Sequence, residues 1–150
     1  MKYFIILTSV ISLTIASSGQ STEDSVKAVV NQLFDGMKNA DATLLRQTFA
    51  DSAIMQTITR TKDGKTSVQT EEVKDFADFV SKQVKGAADE RISFETIKID
   101  GPLAFVWAPY KFYYNGKFSH CGVDAFHLVR FNGAWKIQYL IDTRRKDGCD

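Results

Sequence analysis

The sequence predicts an α+β fold in which three helices from the N-terminal half cover a curved antiparallel sheet built from the C-terminal half. Three observations lead there. The apolar positions Val26, Val29, Val30, Leu33, Phe34 and Met37 follow one helical stripe. Two Asn-Gly pairs, Asn115-Gly116 and Asn132-Gly133, separate long apolar runs and signal tight hairpins. Once those hairpins are paired, one sheet face is too apolar to meet water, so the helices must lie over it.

The first helix opens after the polar STEDS segment. Ser21 or Thr22 can cap it, and Glu23 and Asp24 lie where the helix dipole favours negative charge. It ends near Asn39, and Asp41 can cap a short second helix carrying Leu44, Leu45 and Phe49. Ser52 to Thr61 favours strand, with KDGK turning the chain into TSVQT. Val73, Phe76, Phe79, Val80 and Val84 then resume helical spacing, and Gly86 stops the helix. RISFETIKID reads as one strand whose apolar phase shifts between Phe94 and Ile97, as a bulge would make it do, bending the sheet. Three further strands follow across the two Asn-Gly turns.

The chain has 150 residues, enough for one domain with a real core. A formal net charge of +1, with basic and acidic residues interspersed, offers no footprint for nucleic acid. The basic run RRK near the end, flanked by Asp142 and Asp147, reads as a solvated strand end. The opening MKYFIILTSVISLTIASSGQ has the layout of a secretory signal: a lysine, an apolar run from Tyr3 to about Ala16, then small residues. That run is shorter than the roughly 20 residues of a spanning helix. The alternative is a buried helix or an uncleaved anchor. The organisation expected is a signal peptide over residues 1–19 and a single domain over 20–150, exported to the periplasm or beyond, with no membrane association after cleavage.

Export sets how Cys121 and Cys149 are read. Two thiols in an oxidising compartment form a disulfide more readily than a metal site, with free thiols as the alternative. Zinc would want about four ligands. His120 and Cys121 are neighbours on a strand and point to opposite faces, so no metal is expected.

Simple two-residue turns also assign side chains to faces. Pairing Phe131 with Ala134 and Tyr114 with Lys117 collects Leu103, Phe105, Trp107, Phe126, Leu128, Trp135, Ile137, Tyr139 and Ile141 on the inner face, with Asp124 among them. An extra residue between Tyr114 and Phe126 would reverse that assignment. An isolated carboxylate in such surroundings must be paired, hydrogen-bonded, protonated or in contact with a cavity. His120 shares its parity but lies four residues away, roughly 13 Å along a strand, too far for a direct hydrogen bond. The outer face receives Ala104, Val106, Ala108, Cys121, Val123, Ala125, His127, Val129, Lys136, Gln138 and Leu140, a mixed composition suited to a subunit interface or to a surface covered by the chain's tail. Cys121 falls opposite Arg144, and Gly148 lets the tail turn Cys149 back toward it.

With these residues placed, NADATLLRQTFADSAIM and LAFVWAPYKFYYNGKFSHCGVDAFHLVRFNGAWKIQYLIDTRRKDGC resemble the nuclear transport factor 2-like, or SnoaL-like, superfamily. Within it the chain is similar to the small exported bacterial proteins labelled putative lumazine-binding. The resemblance implies a cone-shaped fold with a pocket at the open end and frequent dimerisation through the outer sheet face. It implies no single activity, because the superfamily holds isomerases, dehydratases, cyclases and binding modules. Its ketosteroid isomerases use an Asp base with a Tyr and a protonated Asp. The first helix here offers Phe34 and Met37 and no tyrosine. The function expected is binding of a small apolar or aromatic molecule by Trp107, Phe126 and Tyr139, with Asp124 and His120 for polar recognition and no cofactor. The alternatives are an acid/base isomerase, dehydratase or hydrolase using Asp124 as its catalytic group, and a dimeric interaction module.

Overall fold

The computed structural model describes residues 21–61 and 63–149; the expected signal peptide lies outside them. Three helices, α1 (Thr22–Lys38), α2 (Ala42–Thr48) and α3 (Val73–Ser81), lie against seven strands. The strands are β1 (Phe49–Arg60), β2 (Thr66–Glu71), β3 (Ala88–Ile92), β4 (Thr96–Asp100), β5 (Leu103–Tyr114), β6 (Lys117–Phe131) and β7 (Ala134–Thr143). The α+β class and the helix-covered curved sheet are as the sequence predicts.

The local signals act as expected at the helix starts. Ser21 caps α1 by accepting from the Asp24 N–H, and Asp41 caps α2 by accepting from Thr43 and Leu44. Gly36 lets the two helices touch, because a Cβ there would lie 2.9 Å from the Leu45 backbone nitrogen. Asn115 and Asn132 have φ of 50° and 49°, so both hairpins turn through left-handed residues as predicted.

The sheet order is β2-β1-β7-β6-β5-β3, with β4 also on β5. Three features differ from the sequence reading. RISFETIKID is two strands: Ser93 to Glu95 break the ladder, and both halves pair with β5. The predicted hairpin β1-β2 joins the main sheet, because β1 runs parallel to β7. The helical spacing of Val84 is not used; α3 ends at Ser81 and Val84 is exposed.

The larger correction concerns faces. Ser119 is an extra residue in β6, so Phe112 pairs with His120 while Tyr113 pairs with Phe118. Gln138 is an extra residue in β7, so Leu128 pairs with Ile137 while His127 pairs with Tyr139. Each insertion exchanges inward and outward side chains beyond it. Asp124, Phe126 and Leu128 do face the helices. Opposite them stand Ala104, Val106, Ala108 and Tyr110, not Leu103, Phe105 and Trp107. On β7, Trp135 and Ile137 stay inward, but Leu140 and Asp142 replace Tyr139 and Ile141.

The outer face therefore carries an aromatic row. His127 stacks with Tyr139 at 5.8 Å and meets Phe105 at 5.3 Å, and Phe105 meets Trp107 at 6.4 Å. Cys121 sits on that side and bonds Cys149 across 28 residues, as a chain in an oxidising compartment would. The Gln138 insertion aligns Cys121 with Arg145 instead of Arg144, and the two exchange backbone hydrogen bonds at 2.9 Å.

Gly122 is where β6, β5 and the end of β7 converge. A Cβ there would stand 1.7 Å from the Thr143 carbonyl oxygen and 2.7 Å from Tyr110 Cε1. Backbone cannot yield as a flexible side chain does, so Gly122→Ala is expected to cost about 3 kcal/mol or more, read as a lower urea midpoint.

Candidate functional site

Between the inner sheet face and helices α1 and α3 lies a cavity of about 230 Å³. Its apolar wall comes from Leu33, Phe34 and Met37 on α1, Phe76, Phe79 and Val80 on α3, and Met55, Phe112 and Tyr114 on the sheet. Its polar groups are Glu71, Glu90, His120, Asp124, Asp142, Arg144, Thr57 and Tyr110. Such a lining, apolar with convergent polar groups, is what small-molecule sites share.

Of the residues predicted from sequence, Asp124 and His120 line this cavity together. Phe126 is fully buried behind the wall, with its ring edge-to-face on Phe34 at 6.2 Å. Trp107 and Tyr139 are on the opposite side of the sheet, where the two insertions put them. Their place on the wall is taken by Phe34, Phe76, Phe112 and Tyr114. The RRK run is not a plain solvated end either, since Arg144 reaches the cavity and ion-pairs with Asp142. Sequence reasoning missed Glu90, Asp142, Arg144 and Tyr110. Asp142 would have been found by moving β7 one residue beyond a bulge; nothing in the sequence around Glu90 marks it.

The acidic groups divide into two sets. Asp142 is well supplied: Thr57 Oγ1 donates to Oδ1 at 2.5 Å, and Arg144 Nε donates to Oδ2 at 2.9 Å. Tyr110 Oη donates to the Thr143 carbonyl at 2.9 Å and lies 3.2 Å from Asp142 Oδ2. Arg144 Nη2 also reaches Thr57 Oγ1 at 3.1 Å, so this set is closed on itself.

Asp124 is different. It is 4 % exposed, and its Oδ2 meets no donor among the described residues. The polar side chain set against it is the Glu90 carboxyl. Two carboxyls in contact away from water cannot both ionise, so the pair keeps a proton. Burial, then repulsion from Glu90 and the hydrogen bond between them, holds Asp124 far above the usual carboxylate range. Burial likewise pushes Glu90 up to about 7, although the hydrogen bond from Asp124 eases its ionisation. The pair as a whole therefore holds a proton more tightly than two separate carboxyls would.

Glu90 is held in place from the other side of β3. Asp89 binds Lys38 of α1 and Arg91, each at 2.9 Å, fixing the strand against the helix. His120 rests on the Phe112 ring at 5.0 Å and edge-on to Tyr110 at 5.8 Å, with Ser119 Oγ 3.0 Å from its Nδ1. Burial and the nearby Arg144 lower its pKa, so it stays neutral near pH 7. Among the described residues no three His, Cys, Asp or Glu side chains converge to hold a metal ion.

A curved sheet, three covering helices and an inner pocket at one end define the nuclear transport factor 2-like class. Solved structures of that shape include a nuclear transport factor 2-like protein of unknown function from Shewanella baltica, with TM-score 0.64 and 18 % identity over 83 % of this chain and 94 % of that one. One from Methylobacillus flagellatus gives 0.62 and 20 %, over 86 % and 98 %. A Nostoc punctiforme protein described as having a cystatin-like fold gives 0.66 and 11 %, over 85 % and 95 %. At these identities the likeness establishes the fold. No curated protein sequence shows significant similarity to the chain. The family described as putative lumazine-binding matches residues 21–139, and the chain belongs to that family.

The carboxyl pair makes stability depend on pH with a definite sign. A carboxyl whose folded pKa is raised binds its proton more tightly folded than unfolded, so its contribution is full below the unfolded value and is lost as pH rises through the folded one. For Glu90 that window runs from 4.5 to about 7. A shift of that size corresponds to a loss on the order of 3 kcal/mol. Urea midpoints are expected to fall from pH 5 to pH 8, and Glu90→Gln is expected to flatten the profile.

Proposed function

We propose that this is an exported protein that binds a small aromatic molecule in the pocket between α1, α3 and the sheet. The observation that carries this reading is the cavity itself: an aromatic wall beside a buried carboxyl, Asp124, whose Oδ2 has no donor among the described residues. Unpartnered buried polar atoms are rare in folded proteins, and a ligand that supplies the partner gives this one a reason. The family's description points the same way, toward small-molecule binding. The disulfide is consistent with an exported chain. Asp124 and His120 would provide polar recognition, with Phe34, Phe76 and Phe112 supplying contact area.

A specific observation favours a second reading, an acid/base enzyme. The Glu90–Asp124 pair retains a proton near neutral pH in a buried site and can pass it to or from a carbonyl or hydroxyl compound. The two readings separate on one substitution. Asp124→Asn keeps shape and hydrogen-bonding capacity, so a binder's affinity is expected to stay within about tenfold, or 1.4 kcal/mol. Acid/base turnover would be lost by at least a hundredfold. Small molecules released from natively purified protein, identified by mass spectrometry, supply the compound for both measurements.

The outer face supports a homodimer. Leu103 is 47 % and Trp107 39 % exposed on a sheet surface that mixes aromatic and aliphatic side chains with Lys98, Asp100 and Lys136, and Ile54 of β1 continues it. A second copy of this chain would cover that patch. Trp107→Glu is expected to shift the protein from dimer to monomer in sedimentation equilibrium without lowering its melting temperature at low concentration.

A further inference from the structure

The polar end of the pocket has an unequal charge account. Glu71, Glu90, Asp124 and Asp142 all reach it, against one guanidinium, Arg144. That guanidinium is already engaged by Asp142 and Thr57. His120 is neutral, and Tyr110 points its hydroxyl at the Thr143 carbonyl and Asp142. From α1 and α3 the lining is wholly apolar, so no helix brings a cation. What remains is a carboxyl pair, Glu90 and Asp124, on the cavity wall, and among the described residues no donor meets the buried Asp124 Oδ2. The aromatic faces of Phe112 and Tyr114 border the same space.

Resting on the binding function above, we propose that the ligand is an organic cation, an amine on an aromatic or apolar body, whose N–H groups lie between Glu90 and Asp124. A hydrated metal ion does not suit the site, since its wall is mostly hydrocarbon and no three-ligand cluster is present among the described residues. An ammonium group supplies up to three donors to acceptor-only carboxylates, and charge-assisted hydrogen bonds of this kind are roughly twice as strong as neutral ones. Ring faces within about 6 Å add cation–π attraction. An anionic ligand would meet the Glu90–Asp124 carboxyl pair without an uncommitted cation to offset it.

The proton balance follows. In the empty pocket near pH 7 the pair holds at least one proton. The ammonium enters with its own protons, whatever protons the pair holds leave to solvent, and both carboxylates then accept from the ammonium. Glu71 at the same cavity adds attraction, and its own carboxyl is raised by burial.

The test is calorimetric titration of the purified protein at pH 7 with three probes of one shape: 2-phenylethylamine, 2-phenylethanol and phenylacetate. The amine is expected to bind at least tenfold more tightly than the alcohol, and phenylacetate more weakly than both. Repeating the amine titration in buffers of different ionisation enthalpy is expected to report proton release. In the Glu90→Gln/Asp124→Asn protein the preference for the amine is expected to fall to within about threefold, with alcohol binding retained; that retained binding shows the variant is folded. Alcohol or acid binding as tightly as the amine would overturn the cation proposal and leave the binding function standing. If none of the three binds the unaltered protein, both are overturned.

Discussion

One inserted residue, Gln138, governs the inner half of this sheet. Its side-chain amide donates to the Ser52 carbonyl at 2.9 Å, where β1 also leaves regular pairing between Phe49 and Ile54. The strand and its parallel neighbour thus share one irregular step. Because side chains alternate with a period of two, everything beyond the step changes side. Leu140 joins the core, Asp142 meets Thr57 and Tyr110, and Arg144 comes within reach of the pocket. The same shift aligns Cys121 with Arg145, from which the chain turns back so that Cys149 can close the bridge. Without the insertion, Tyr139 would point at the helices and the polar end of the cavity would lose its ion pair.

Gly122 makes the closure sterically possible. The Thr143 carbonyl occupies the space a side chain would fill, and Tyr110 packs beside it. The Tyr110 hydroxyl then ties β5 to β7 across β6 through that carbonyl. Three strands are locked at the point where Asp124 enters the cavity, so the acid pair sits on rigid sheet and not on a loop. Holding a proton-sharing pair in such a place costs stability at neutral pH, since the folded state resists an ionisation that the unfolded chain undergoes freely. Features that lower stability and are nonetheless firmly supported are where function is expected to reside.

The helix caps, both Asn-Gly hairpins, the inward direction of Asp124, Phe126 and Leu128 and the partnership of Cys121 with Cys149 were legible because each depends on local chemistry or on parity within one strand. Parity between strands was not. Ser119 and Gln138 carry no mark of a bulge in their residue type, since an inserted residue is specified by the surrounding ladder and by contacts such as that with Ser52. Trp107 and Tyr139 were misplaced for that reason alone. Glu90 was hidden differently: its strand is short, its alternation is weak, and its meeting with Asp124 depends on Asp89 anchoring β3 to Lys38 from the far side. A sequence can display an inward carboxylate, but it does not display the second carboxylate that three-dimensional packing sets against it.

The composition of the site bears on which functional reading is stronger. Acid/base catalysis on a carbonyl compound needs a group to move the proton and preorganised donors where negative charge develops. The Glu90–Asp124 pair meets the first requirement. Two of the donors at hand do not meet the second, since Tyr110 directs its single proton to the Thr143 carbonyl and Asp142, and Arg144 is bound to Asp142 and Thr57, which leaves the single N–H of neutral His120. Releasing Arg144 for an oxyanion would strip Asp142 of its charged partner, and breaking such a pair in a partly buried site is costly. A ligand that brings donors asks for no such rearrangement. It would bring its donors to the Glu90–Asp124 pair and leave the Asp142 cluster as it stands, which is why binding is the reading this geometry favours.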